Sequence, residues 1–173
     1  GYGLTEATAL VTTHEVVMDA NGELLRAKSI GRPLPGMTIA ILDAAGTRLP
    51  CDSVGEICIQ GPNVMRGYYN LPEATAEAIV DGWLRTGDLG TMDAEGYVTI
   101  VDRKKDLIIR GGQNIYPADI EEALYRHPAV AEAAVIAVAD DVLGEVPKGF
   151  VALKPGCIAT PEELIAHCRA ELA

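Results

Sequence analysis

The sequence predicts an α+β protein, and three observations carry that reading. Glycines and turn signals punctuate short apolar runs over residues 1–102. From Leu107 onward, strand-like runs alternate with helical patterns in the order β-α-β-β-α, as in a small α+β domain. Between them lies a charged junction, Asp102-Arg-Lys-Lys-Asp106; four of the 14 basic residues fall between Arg103 and Arg110. The expected organisation is therefore a β-rich segment (1–102), a hinge (103–106) and a small α+β domain (107–173).

Each element has its own local cause. Met37–Asp43 is a strand-like apolar run that ends in the turn Asp43-Ala-Ala-Gly46. Gly55–Gly61 alternates between glycines and reads as a strand. A short helix is expected over Leu71–Ile79, with Pro72 in its first turn and Glu73 near the positive end of the helix dipole. Gly96–Val101 follows the turn Asp93-Ala-Glu-Gly96 as another strand. Leu107–Ile109, Val130–Val138 and Gly149–Leu153 are strands of the second region. Pro117–Tyr125 is a helix with proline at its first position and Ile120, Ala123 and Leu124 on its apolar face. Thr160-Pro-Glu-Glu163 opens a last helix: Thr160 caps, Pro161 takes the first position and Glu163 closes a capping box. Leu164, Ile165 and Cys168 are expected on one face of it.

Composition excludes several classes. The 173 residues carry a net charge of −11, from 14 Lys+Arg against 25 Asp+Glu. A free-standing nucleic-acid binder shows a basic footprint, and an anionic membrane surface would repel this chain. No apolar run approaches the roughly 20 residues that span a bilayer. The four cysteines have no CxxC spacing and the three histidines form no HxxxH or HxH pair, so reduced thiols and no zinc site are expected. Those thiols, and the lack of a visible leader, point to a cytoplasmic protein. There is no GxxxxGK[ST] loop, no GxGxxG after a strand and no GxSxG elbow, and the only serines are Ser29 and Ser53. The chain opens at Gly1 and stops at Ala173 inside a helical pattern, which suggests a piece of a longer protein.

Four short segments hold side chains able to do chemistry. Tyr2-Gly-Leu-Thr-Glu6 offers a stacking ring, a hydroxyl for a phosphate oxygen and a carboxylate for Mg²⁺; alternatively, Thr5 caps a short helix. Thr86-Gly-Asp88 places an acid after a glycine turn, where it suits a ribose diol or an Asx-turn. Arg103 can donate a planar fork to ribose or phosphate oxygens. Gly111-Gly112 permits positive φ, either for close approach of a ligand or for a plain turn.

In this order and spacing, Gly1-Tyr-Gly-Leu-Thr-Glu6, Arg85-Thr-Gly-Asp-Leu89, Asp102–Gly112 and Asn114-Ile-Tyr-Pro-Ala-Asp-Ile-Glu121 resemble the adenylate-forming (AMP-binding) superfamily, specifically its acyl-CoA synthetases. The resemblance covers essentially the whole chain. It implies the β-rich end of a large adenylation domain, a hinge, and a truncated small C-terminal domain. It also implies ATP, Mg²⁺ and coenzyme A, with a small carboxylic acid as substrate; a medium- or long-chain fatty acid is expected. Carried over by position, Tyr2 packs on adenine, Thr5 contacts phosphate and Glu6 binds Mg²⁺. Asp88 and Arg103 hold the ribose, and Asn114 lies near the adenylate. Lys105 is the hinge residue, Gly111 and Gly112 line the pantetheine path, and Gly3 and Leu4 touch the acyl chain. The family's phosphate loop and its catalytic lysine are absent from these residues, so the chain alone is expected to be inactive. A domain loading a carrier-protein thiol and a non-catalytic adenylate-binding module are the alternatives. The oligomeric state is left open.

Overall fold

The computed structural model describes residues 1–15 and 18–172. It divides into two compact units, Gly1–Lys104 and Lys105–Ala173. The boundary lies inside the charged 103–106 segment.

The first unit is built on a seven-stranded antiparallel sheet. Its strands are β1 (Thr12–Thr13), β2 (Ser29–Pro33), β3 (Thr38–Leu42), β4 (Gly55–Gln60), β5 (Ile79–Val80), β6 (Trp83–Met92) and β7 (Val98–Arg103). The order across the sheet is β1-β2-β7-β6-β4-β3, with β5 paired to β6. Strand alternation sends Ile39, Ile41, Ile57 and Ile59 to one face, where they pack with Val11, Leu84 and Val98. Ala40, Leu42 and Cys58 point the other way and are covered by Trp83. Both faces of β3 and β4 are therefore buried, so the two strands read as near-continuous apolar runs. Helix α1 (Pro72–Ala78) starts on proline with Glu73 in its first turn, as expected. Of the unit's seven strands, β1, β2, β5 and β6 escape the sequence reading: β1 and β5 are two residues long, and glycine interrupts the apolar pattern of β2 and β6.

The second unit pairs a four-stranded antiparallel sheet, order β10-β11-β8-β9, with two helices. Its elements are β8 (Ile108–Arg110), β9 (Gln113–Ile115), α2 (Pro117–Arg126), β10 (Val130–Asp140), β11 (Gly144–Leu153) and α3 (Pro161–Glu171). The expected β-α-β-β-α order is corrected to β-β-α-β-β-α. The extra strand β9 is three polar-flanked residues that pair back on β8, too short for a periodic signal. Strand β11 also begins five residues earlier than the expected Gly149, because its pairing with β10 runs unbroken from Gly144. Ile108, Leu124 and Val135 form the core, with Ile120, Val151, Leu164 and Cys168 packed on it. The capping box of α3 is present: Thr160 Oγ1 accepts from Glu163 N, and the Glu163 carboxylate accepts from Thr160 N. Ile165, expected on the apolar face, is 52% exposed; the stripe is only as wide as the i, i+4 pair Leu164 and Cys168.

No helix among the described residues is long and apolar enough to cross a membrane.

Candidate functional site

Asp88 sits in a bulge of β6. Opposite it on β4, Glu56 pairs with Leu89 and Cys58 with Arg85, so Thr86, Gly87 and Asp88 face the single residue Ile57. Gly87 supplies the positive φ of 75° that the bulge requires. Thr86 Oγ1 donates to the Ile57 carbonyl at 2.7 Å and accepts from Asp88 N at 3.1 Å, fastening the bulge to β4 from within. The Asx-turn alternative is set aside, since the Asp88 carboxylate turns to other groups. Tyr2 Oη donates to Asp88 Oδ2 at 2.6 Å, and Arg103 Nε lies 3.6 Å from Oδ1. Arg103 is the direct cross-strand partner of Asp88 on β7. Thus Tyr2 and Arg103, 101 positions apart in the sequence, converge on one carboxylate.

Tyr2 is held by backbone as well as by its hydroxyl. Its N–H donates to Thr12 Oγ1 at 3.0 Å, and its carbonyl accepts from Val11 N at 2.9 Å. Burial, and then the bond to Asp88, push the Tyr2 phenol above its ordinary pKa, so it remains a donor across the physiological range.

Gly3 to Ala9 form a tight reversal. A 3₁₀ turn covers Thr5–Ala7, and Thr8 and Ala9 both have positive φ, of 52° and 71°. Gly3 is obligatory here: a Cβ would lie 1.3 Å from the Ala9 carbonyl oxygen. The alternative of a Thr5 helix cap does not hold; Leu4 is the N-cap residue and no side chain caps the turn. Thr5 is exposed, and Glu6 Oε1 accepts from Tyr68 Oη at 2.9 Å. The backbone carbonyl of Glu6 accepts from Met65 N at 2.7 Å, tying the reversal to the Gly61–Leu71 loop. The Tyr68 phenol is raised by its bond to Glu6. Among the described residues no cluster of three or more acids, histidines or cysteines forms a metal cage. One carboxylate beside a hydroxyl nonetheless suits Mg²⁺, which keeps several waters and is held through one or two carboxylates together with substrate phosphates.

Sequence reasoning missed Glu56. It is a buried acid on β4, with its side chain 6% exposed. Its Oε2 accepts from Arg85 Nη1 and from Lys104 Nζ, each at 3.1 Å, and its Oε1 accepts from Gly87 N at 3.2 Å. Burial opposes its charge, but the bonds from Lys104, Arg85 and Gly87 prevail and hold its pKa below the usual glutamate value. The nearby Cys58 thiol is pushed up to about 11, first by burial and then by the Glu56 charge, which makes it an inert core residue. The available signal was a lone acid inside an apolar strand, Gly55-Glu-Ile-Cys-Ile-Gln60.

In the second unit, Gly111 and Gly112 make a two-residue hairpin between β8 and β9, with φ of 56° and 82°. Positive φ at both positions is what the tight primed hairpin turn demands, and glycine meets it without strain. Asn114 stands on β9 opposite Ile109 and is exposed. Lys105 is exposed in the turn that follows β7.

The family model for AMP-binding enzymes matches residues 1–69, and that for the AMP-binding enzyme C-terminal domain matches residues 119–173. The chain belongs to the adenylate-forming, AMP-binding superfamily. Superfamily relatives include the 2-succinylbenzoate–CoA ligase of Bacillus cereus, 46% identical over 99% of this chain and 34% of the relative. The long-chain-fatty-acid–CoA ligase of Bacillus subtilis is 48% identical over the whole chain and 30% of the relative. Among solved structures, the o-succinylbenzoate CoA synthetase of Bacillus subtilis, in complex with its acyl-adenylate intermediate, matches with a TM-score of 0.83. It is 37% identical, and the match covers 99% of this chain and 34% of that one. The chain therefore spans about a third of the length of the superfamily members it matches.

Proposed function

We propose that this chain is a fragment from the C-terminal part of an AMP-forming acid–CoA ligase. In the first half-reaction a carboxylate would attack the α-phosphorus of ATP, forming an acyl-adenylate and releasing pyrophosphate. The thiol of coenzyme A would then attack the acyl carbon, and AMP would leave. A carboxylate is a poor electrophile and AMP a far better leaving group than hydroxide, so positioning and charge neutralisation carry the catalysis.

The observation that carries this reading is the convergence of Tyr2 and Arg103 on Asp88. The ring of Tyr2 would pack on adenine while its hydroxyl aims Asp88 at the ribose diol, with Arg103 on the same sugar. Thr5 would meet a phosphate oxygen, and Glu6 would hold Mg²⁺, which would supply charge neutralisation for the phosphates. Gly111 and Gly112 would border the pantetheine arm, and Asn114 would lie near the adenylate. Lys105 would be the pivot between the two half-reactions. Gly3 and Leu4 would touch the acid.

The names of the relatives move the substrate reading. One relative and the solved structure are named for 2-succinylbenzoate, and one relative is named for long-chain fatty acids. An aryl acid is therefore preferred to the medium- or long-chain fatty acid expected from the motifs, and 2-succinylbenzoate is the first acid to try. Because this chain holds neither a phosphate loop nor the superfamily's lysine motif, it would not turn over alone.

The test is ATP–pyrophosphate exchange by the full-length protein with aryl, fatty and amino acids. Acid-dependent exchange followed by coenzyme A-dependent thioester release is the expected result. Exchange without transfer to coenzyme A would favour a carrier-protein acceptor, and no exchange with any acid would refute adenylate formation.

A further inference from the structure

Glu56 and Thr12 are the buried polar residues of the chain among those described. Thr12 is spent on the backbone of Ile30 and Tyr2. Glu56 has no such local purpose. Its three donors come from Arg85, where the β6 bulge starts; from Gly87, one residue before Asp88; and from Lys104, one residue after Arg103. Gly87 is tied a second time, because its carbonyl accepts from Lys104 N at 2.8 Å. Glu56, Gly87 and Lys104 thus close a ring of bonds behind the Asp88–Arg103 pair. Lys104 is also the last residue of the first unit.

We infer that Glu56 is a positioning residue for nucleotide binding: its carboxylate clamps the Gly87–Asp88 bulge of β6 and the Lys104 end of β7 in one register. Asp88 and Arg103 are thereby presented together to the ribose, and the chain is fixed on the near side of Lys105. This rests on the reading of Asp88 and Arg103 as ribose-binding residues. Two cations on one carboxylate oxygen, with an amide on the other, are a costly arrangement inside a strand pair, and the depressed pKa of Glu56 means the clamp stays charged under working conditions. An apolar pair would hold β4 to β6 equally well. What it could not do is reach Gly87 N and Lys104 Nζ at once.

The experiment uses the full-length protein and three variants. Glu56→Gln keeps the shape and removes the charge. Lys104→Met removes one tie. Cys58→Ala truncates the neighbour of Glu56 on the same face of β4, which is fully buried but bonded to neither Gly87 nor Lys104. The readouts are thermal stability, and KM for ATP separately from kcat in ATP–pyrophosphate exchange. The expected result is a rise of about tenfold or more in the ATP KM for Glu56→Gln, a smaller rise for Lys104→Met, and a double variant no worse than Glu56→Gln alone. Cys58→Ala should lower stability and leave the ATP KM within about twofold. If Glu56→Gln does not fold, Glu56→Asp replaces it, with the charge kept, the reach shortened and a rise of about threefold expected. An ATP KM unchanged by Glu56→Gln, or raised equally by Cys58→Ala, overturns the inference while exchange by the wild type stands. A wild type without acid-dependent exchange overturns it together with the functional reading.

Discussion

The hydroxyl of Tyr2 and its ring should be separable by one substitution. Tyr2→Phe keeps the ring that would stack on adenine and deletes a single bond, the 2.6 Å contact to Asp88 Oδ2. A hydrogen bond to a charged acceptor is worth about 1.5–3 kcal/mol net. Tyr2 and Asp88 are only partly buried, which places this bond toward the lower end, about 1.5–2 kcal/mol. At about 1.4 kcal/mol per decade, kcat/KM for ATP should fall by roughly 10- to 30-fold if the hydroxyl aims the carboxylate. The assay is a double-mutant cycle of Tyr2→Phe and Asp88→Asn in the full-length protein, read by ATP–pyrophosphate exchange. Once Asp88 is neutral the hydroxyl has little left to orient, so the two effects should couple by about 1.5 kcal/mol. Additivity within about 0.5 kcal/mol would refute the reasoning. So would an alkaline limb in the pH profile that Tyr2→Phe abolishes, since burial and Asp88 keep this phenol protonated.

Four further outcomes follow from the geometry. Gly3→Ala drives a Cβ into the Ala9 carbonyl; it should cost about 4 kcal/mol or more, and a melting temperature equal to wild type would contradict the close approach. Tyr68→Phe removes the donor to Glu6 Oε1; at this exposed position it should raise the Mg²⁺ concentration for half-maximal exchange by about threefold and leave the ATP-saturated rate nearly unchanged. Because the folded-state pKa of Glu56 is depressed, its contribution is fully present above 4.5, the ordinary glutamate value, and is lost as pH falls below it through the folded pKa. The melting-temperature gap between wild type and Glu56→Gln should therefore close on acidification, and a gap that persists well below 4.5 would sink the assignment. Lys105→Pro fixes φ at the proposed pivot, so single-turnover measurements should find thioester formation slowed far more than adenylation; equal loss of both would argue against a pivot.

What was legible in the sequence is what local chemistry dictates. The capping box at Thr160 and Glu163, the prolines that open α1, α2 and α3, and the Ile120–Leu124 face of α2 depend on neighbours within one turn, and all appear where expected. Strand β6 was not legible, because its middle is a bulge that carries Thr86, Gly87 and Asp88 in place of an alternating apolar pattern. Strand β9 is three residues long and owes its existence to the Gly111-Gly112 hairpin. The candidate residues themselves could be picked out by type and order. Their mutual geometry could not: Tyr2 and Asp88 meet across 86 positions, and only the pairing of β6 with β7 sets Arg103 beside them.

The same break that hides β6 from a pattern reading gives it its chemistry. A regular strand would alternate its side chains and send Thr86 and Asp88 to one face with Gly87 between them. The bulge instead leaves three residues opposite Ile57 and frees the amides of Gly87 and Asp88 from the ladder with β4. Those amides go to Glu56 and to Thr86. A distorted strand with unpaired amides would be a liability in the middle of a sheet, and the buried Glu56 carboxylate and the Thr86 hydroxyl are what offset it. The acid in an apolar strand and the glycine in a central one, each unfavourable alone, are complementary halves of one device. Repairing either half toward the regular pattern, with Gln at 56 or a side chain at 87, should leave a sheet that still folds and a carboxylate that no longer points where Tyr2 and Arg103 can share it.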